Sequence, residues 1–227
     1  MTSNPLIDSP LLRRYAPYTL SGYALFRRIM DEDGAIPARI KALLMAVAAV
    51  SKGRQALALR ELRRGAELGL VLDEAVAGLI VLSSLRGEGA ALDFEQILTE
   101  VFGAQKDVAP FEPVPVAAGE AAENFTSYFG AIPLPLELML RLLPTGGEAY
   151  YLMRKGSIDS NPLSPKYGEL LLIVILAADY SPMTATHVPA ARKAGASDEE
   201  IAEAIICAIP AGGIAAWMGA APFLAAE

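Results

Sequence analysis

Residues 168–217 read GELLLIVILAADYSPMTATHVPAARKAGASDEEIAEAIICAIPAGGIAAW. The apolar run from Leu170 to Ala178 is longer than a buried strand and shows no alternation, so it reads as a buried helix. Ser164 and Pro165 stand just ahead of it as a cap and a first-turn proline, which predicts a helix from Pro165 to Ala178. Ser181-Pro182 repeats that start signal and predicts a helix running through His187 to Ala194, stopped by Gly195. Ser197 and Glu200 have the spacing of a capping box for a further helix ending near Pro210. Gly213 to Ala226 can form a last one. Strand alternation is absent along the chain, and the fold class is all-α.

Working outward, the chain resembles itself. RRYAPYTLSGYALFRR around Pro17 matches RLLPTGGEAYYLMRK around Pro144, placing Tyr23 on Tyr150 and Arg28 on Lys155. Pro37 falls on Pro165, Gly69 on Gly195, Glu74 on Glu200 and Gly87 on Gly213, all at nearly one shift. Ordered agreement of Pro, Gly and acidic anchors over residues 11–92 and 138–217 points to a duplicated helical unit. Between the copies, Pro110, Pro113 and Pro115 prevent a regular helix. Glu120 to Phe129 can form a short helix before Pro133 and Pro135 break the chain again. The expected division is a first repeat over 1–102, a Pro-rich linker with a short helix over 103–137, and a second repeat over 138–227.

Composition narrows the function. A net charge of −7 argues against a nucleic-acid surface, which needs Lys and Arg to neutralise phosphates. Arg60, Arg63 and Arg64 sit at helical spacing among acids and read as a solvated face. A lone cysteine, Cys207, allows no intrachain disulfide, C-x-x-C pair or cysteine metal cluster. Met1 to Pro10 lacks the features of a secretory signal, so a cytoplasmic location is expected. Ala204 to Ala226 is uncharged and long enough to cross a bilayer. Pro210, Gly212, Gly213 and Pro222 interrupt it, however, and its Ala/Gly content suits short, closely packed helices in a core or subunit interface better than a membrane span.

Two residues can carry proton chemistry. His187 is the only histidine, and its ordinary pKa lies near neutrality. Glu169 is the sole charge between Lys166 and Asp179, at the head of an apolar helix. Each has a structural reading as well: a lone helical histidine can be packing, and a carboxylate near a helix N-terminus is favoured by the macrodipole. On antiparallel helices with 1.5 Å rise per residue, the two would be offset axially by about 6 Å. Direct contact therefore stays open, with a skewed crossing, a water or the substrate as possible bridges.

The order GELLLIVILAA, a short break, TATHVPAARKAGASDEEIAEAI and PAGGIAAW resembles the carboxymuconolactone decarboxylase branch of the alkylhydroperoxidase-D-like superfamily. The resemblance covers the second copy and, through the repeat, the first more faintly. It implies an all-helical bundle of the alkylhydroperoxidase-D-like type, here with two repeats packed as an internal pseudo-dimer, and a homo-oligomer. Peroxidase-type members carry C-x-x-C just before the histidine; this chain has Tyr180 and Met183 at those places, so a thiol relay is not expected.

Carried over by resemblance, Glu169 and His187 serve proton transfer in a lyase that uses no cofactor and no metal. The implied reaction is decarboxylation of a small carboxylated lactone or unsaturated acid, with neither nucleic acid nor membrane as partner. Tyr180, Met183 and Trp217 are candidate pocket walls. In the first copy, Lys41 falls on Glu169 and Glu61 on His187, leaving Lys41 as a candidate anion-binding group. The alternatives are an alkylhydroperoxidase-like antioxidant enzyme using Cys207, and a non-catalytic helical protein that binds a small molecule.

Overall fold

The computed structural model describes residues 6–105 and 110–225. The first residues of the segment read for a leader, linker residues 106–109 and the far end of the expected last helix at Ala226 lie outside them. All regular structure among the described residues is helical. The first half contains α1 (Pro10–Tyr15), α2 (Pro17–Asp31), α3 (Ala38–Ser51), α4 (Gln55–Glu67), α5 (Leu72–Arg86) and α6 (Glu88–Phe102). After α7 (Glu120–Phe129), the second contains α8 (Leu134–Leu142), α9 (Pro144–Ser157), α10 (Pro165–Ala178), α11 (Thr184–Lys193), α12 (Asp198–Ile206), α13 (Ile209–Gly212) and α14 (Ile214–Ala220), then a 3₁₀ turn, Ala221–Ala225.

Two helices make the centre. In α3 every residue except Arg39 is buried, and in α10 every residue from Gly168 onward. Helices apolar on all sides need cover on all sides, and these two pack against each other within one core. Their C-terminal caps meet: Lys52 Nζ lies 3.5 Å from Asp179 Oδ1, and Arg86 reaches the other oxygen of Asp179 at 2.9 Å. Gly168 lets the end of α9 close on α10, because a Cβ there would stand 2.7 Å from the Ser157 carbonyl oxygen.

Matched positions in the two halves adopt matched backbone conformations. The residues before the first-turn prolines of α2 and α9 are Ala16 (φ −139°, ψ 54°) and Leu143 (φ −139°, ψ 70°). Gly69 and Gly195, after α4 and α11, have φ 90° and 92°. Gly87 and Gly213, before α6 and α14, have φ 80° and 73°. The start of α3 corrects the alignment by one residue. Pro37 stands outside its helix as the cap, whereas Pro165 is the first residue of α10. Aligning the helices instead of the prolines sets Ala42 against Glu169 and Lys41 against Gly168.

Other local expectations also shift. Pro182 occupies a turn, and α11 begins at Thr184, whose N–H and hydroxyl both donate to the Ser181 carbonyl at 3.2 and 2.9 Å. Pro133 and Pro135 open α8 instead of breaking the chain, as its cap and in its first turn, where a missing N–H costs nothing. The Ala/Gly-rich tail is divided by Pro210 and Pro222, and no helix among the described residues is long and apolar enough to cross a membrane. Arg64 is not on a solvated face; it is buried against Glu61 and Asp31.

Lys41, considered above as an anion-binding group, is 1% exposed. Its ammonium donates to the Ile29 carbonyl at 2.6 Å and to Glu203 Oε2 at 3.2 Å, and the same carboxylate accepts the N–H groups of Ala35 and Ile36. Glu203 of α12 thereby clamps the α2–α3 loop and neutralises the buried cation. Removing one partner of a buried pair strands the other, at about 3–5 kcal/mol. Glu203→Ala is therefore expected to destabilise the fold by about 3 kcal/mol or more in urea unfolding. Lys41→Met should cost less than half as much, since Glu203 keeps its two backbone donors. Equal losses would contradict this account of the clamp.

Candidate active site

Glu169 sits one residue past Gly168 in the first turns of α10 and is 1% exposed. A carboxylate that deep must find polar partners on other elements. α11 supplies the first: His187 Nδ1 is 2.8 Å from Glu169 Oε2. The direct contact settles what helix geometry had left open. α7 supplies the second: the Tyr128 hydroxyl donates to Glu169 Oε1 at 2.8 Å, and it lies 3.4 Å from His187 Nδ1. An imidazole proton on Nδ1 would be donated to Glu169, and Nε2 would then be left for chemistry. Burial, together with the charge of Glu169 and the hydrogen bond to it, pushes the Tyr128 hydroxyl above its ordinary range. It stays protonated and acts as a fixed donor.

Tyr128 is held in place by an aromatic stripe. Ala121 and Phe125 of α7 pack with Tyr151 of α9 in a small second core, joined by Phe129, Leu136 and Leu140. At the start of α7, Glu120 accepts from the Ala117 N–H at 3.0 Å, from the Tyr151 hydroxyl and from Lys155. The Tyr151 hydrogen bond is the main reason that the Glu120 carboxyl is held down at about 2. Arg154 of α9 lies over the Tyr128 ring, 3.6 Å from its centroid, and donates to Asn124 Oδ1 at 2.6 Å.

Two adjoining cavities share Tyr128, Phe129, Arg154 and Ile158 as walls. The larger, ≈ 470 Å³, is lined by Glu169 together with Asn124, Thr186 and Lys193, and is of the size that holds a small organic molecule. The smaller, ≈ 60 Å³, is lined by His187, Met183 and Leu172, and by Ser84 and Leu85 of α5. The first half thus contributes to the site's wall.

The other expected walls are elsewhere. Of the four candidate substrate-binding residues, Met183 alone borders these two cavities; Lys41 borders a separate one, with Arg28, Asp33 and Glu203. The Tyr180 hydroxyl donates to the Gly212 carbonyl, and its ring faces Lys52 at 5.2 Å. Trp217 packs on the main core, and Lys41 is committed to Glu203. Tyr128 and Arg154 were missed. A signal for Tyr128 existed in the aromatics at Phe125, Tyr128 and Phe129, whose helical spacing within a proline-bounded segment marks a helix that docks.

In the first half, Glu61 lies eight residues before Gly69, as His187 lies eight residues before Gly195. Glu61 is fully buried. Burial would raise its carboxyl, yet Arg27, with Arg60 and Arg64, holds it below the ordinary value. The space around it is closed by this ion cluster.

Cys207 is fully buried, and burial pushes its thiol up to about 12. Such a thiol is a poor nucleophile. The folded protein is expected to react with an aromatic disulfide reagent roughly tenfold or more slowly than the urea-unfolded chain; equal rates would show that Cys207 is accessible.

Among curated proteins none matches the chain. The model of the carboxymuconolactone decarboxylase family matches residues 144–226, a segment that includes Glu169 and His187 and excludes Tyr128. This C-terminal segment is thus similar to the carboxymuconolactone decarboxylase family.

Proposed function

We propose that the protein is a cofactor-independent lyase that decarboxylates a small carboxylated lactone or related unsaturated acid. The observation that carries this reading is the cluster of Glu169, His187 and Tyr128, joined by two 2.8 Å hydrogen bonds in the walls of the paired cavities. Cleavage of the bond to the departing carboxylate releases CO2 and leaves its electron pair on the substrate carbon, delocalised into the adjacent unsaturated system. That carbon must take a proton. His187, protonated on both nitrogens, delivers it from Nε2 and is recharged by a proton from solvent. Glu169 fixes the ring and offsets the imidazolium charge, and Tyr128 fixes Glu169, a chain of support common where a histidine must face one way.

We read the chain as a duplicated unit in which the second copy keeps the chemistry. The paired backbone conformations of the two halves, and the Lys52–Asp179 contact between matched helix ends, support that reading. The buried, weakly acidic Cys207 disfavours the antioxidant alternative.

The test is CO2 release from a panel of unsaturated lactone acids, with melting temperatures measured for every variant. His187→Gln, which can still donate a hydrogen bond to Glu169 but cannot shuttle protons, is expected to lower the rate by about two to four orders of magnitude. Glu169→Gln should approach the same loss. Tyr128→Phe removes one hydrogen bond to a charged group, worth about 1.5 kcal/mol, and should slow the reaction roughly tenfold. A folded His187→Gln protein with wild-type turnover would sink the mechanism.

A further inference from the structure

Arg154 has binding capacity that its own chain does not use. The side chain is 6% exposed, its Nε has no hydrogen-bond partner among the described residues, and it forms a wall of both cavities. No carboxylate among the described residues pairs with it. Its charge is met by the Asn124 amide oxygen and the face of the Tyr128 ring. A buried guanidinium without an anion is costly, and its fork of N–H groups matches a carboxylate or a phosphate through two parallel hydrogen bonds.

The first half shows the arginine of the same position satisfied. Arg27 lies ten residues after Pro17, as Arg154 does after Pro144. Arg27 grips the Glu61 carboxylate with Nη1 and Nη2 at 3.0 and 3.3 Å, and takes Asp31 at 2.6 Å. At the places of Glu61 and Asp31, the second half has His187 and Ile158. The arginine is retained while both of its carboxylates are replaced, one by an imidazole and one by an apolar wall of the cavity.

We propose that Arg154 is the receptor for a carboxylate of the ligand, which takes the part that Glu61 plays toward Arg27. This deepens the lyase reading, on which its role in turnover rests, by naming the group that anchors the substrate beside Glu169 and His187. The apolar walls Phe129, Ile158 and Leu172 then accommodate the body of the ligand. The guanidinium carbon rests 3.6 Å from the centroid of the Tyr128 ring, so Tyr128 would serve both the dyad and the anchor.

Calorimetric binding of 2-furoate, a flat ring acid, and of its neutral isostere 2-furamide tests this without requiring turnover. Wild type should bind the acid at least tenfold more tightly than the amide. Arg154→Met should abolish that preference, and Arg154→Lys, which keeps charge but loses the fork, should weaken it severalfold. His187→Gln should keep it. If the methionine variant does not fold, the lysine variant and the wild-type comparison decide. Acid and amide binding equally to wild type, or undiminished acid binding by folded Arg154 variants, would overturn the receptor. Preference for the acid without any CO2 release from the lactone panel would leave the receptor standing and count against the lyase.

Discussion

A charge on a helix that is buried on every side has to be met by side chains from other elements, and that requirement organises this molecule. α10 offers Glu169 no solvent, so α11 and α7 must approach with His187 and Tyr128. α3 sets the same problem with Lys41, and α12 answers with Glu203, which also ties down the loop that leads into α3. Stability and site geometry are thus linked. The contacts that make an ionised side chain tolerable in the core also hold it in a defined orientation.

The halves solve related problems differently. Around Arg27 the first half closes its interior with carboxylates of its own, and Glu61 lies deep in an ion cluster. Around Arg154 the second half substitutes an imidazole and an isoleucine and leaves cavities beside them. α7, between the two halves, brings Tyr128, Asn124 and Phe129 to those cavities. A buried ion cluster confers order without reactivity, whereas a histidine beside a carboxylate and an open cavity can move a proton.

Local signals in the sequence carried most of the architecture. Pro165 to Ala178 and Glu120 to Phe129 are helices with the expected bounds, and Ser197 and Glu200 form the expected capping box. These features depend on a few neighbouring residues, which is why they were legible. The errors share another origin. Whether Pro37 caps its helix or begins it changes the alignment by one residue, and Lys41 was consequently set against Glu169. Arg64 read as solvated, Lys41 as an anion-binding group and Tyr180 as a pocket wall because their partners Glu61, Glu203 and Gly212 could be assigned only once the helices were packed. Glu169 and His187 stood out as candidates because each is chemically conspicuous in its own segment. Tyr128 and Arg154 are ordinary residue types on helices whose importance lies in where they dock.

With a single histidine in the chain, nitrogen NMR of ¹⁵N-histidine-labelled protein reports on His187 without assignment, at a pH where the ring is neutral. If Glu169 orients the imidazole for proton transfer from Nε2, the neutral ring will carry its proton on Nδ1, and Glu169→Gln will shift the tautomer balance. A ring found with its proton on Nε2, unaffected by Glu169→Gln, would contradict the dyad on which the account rests.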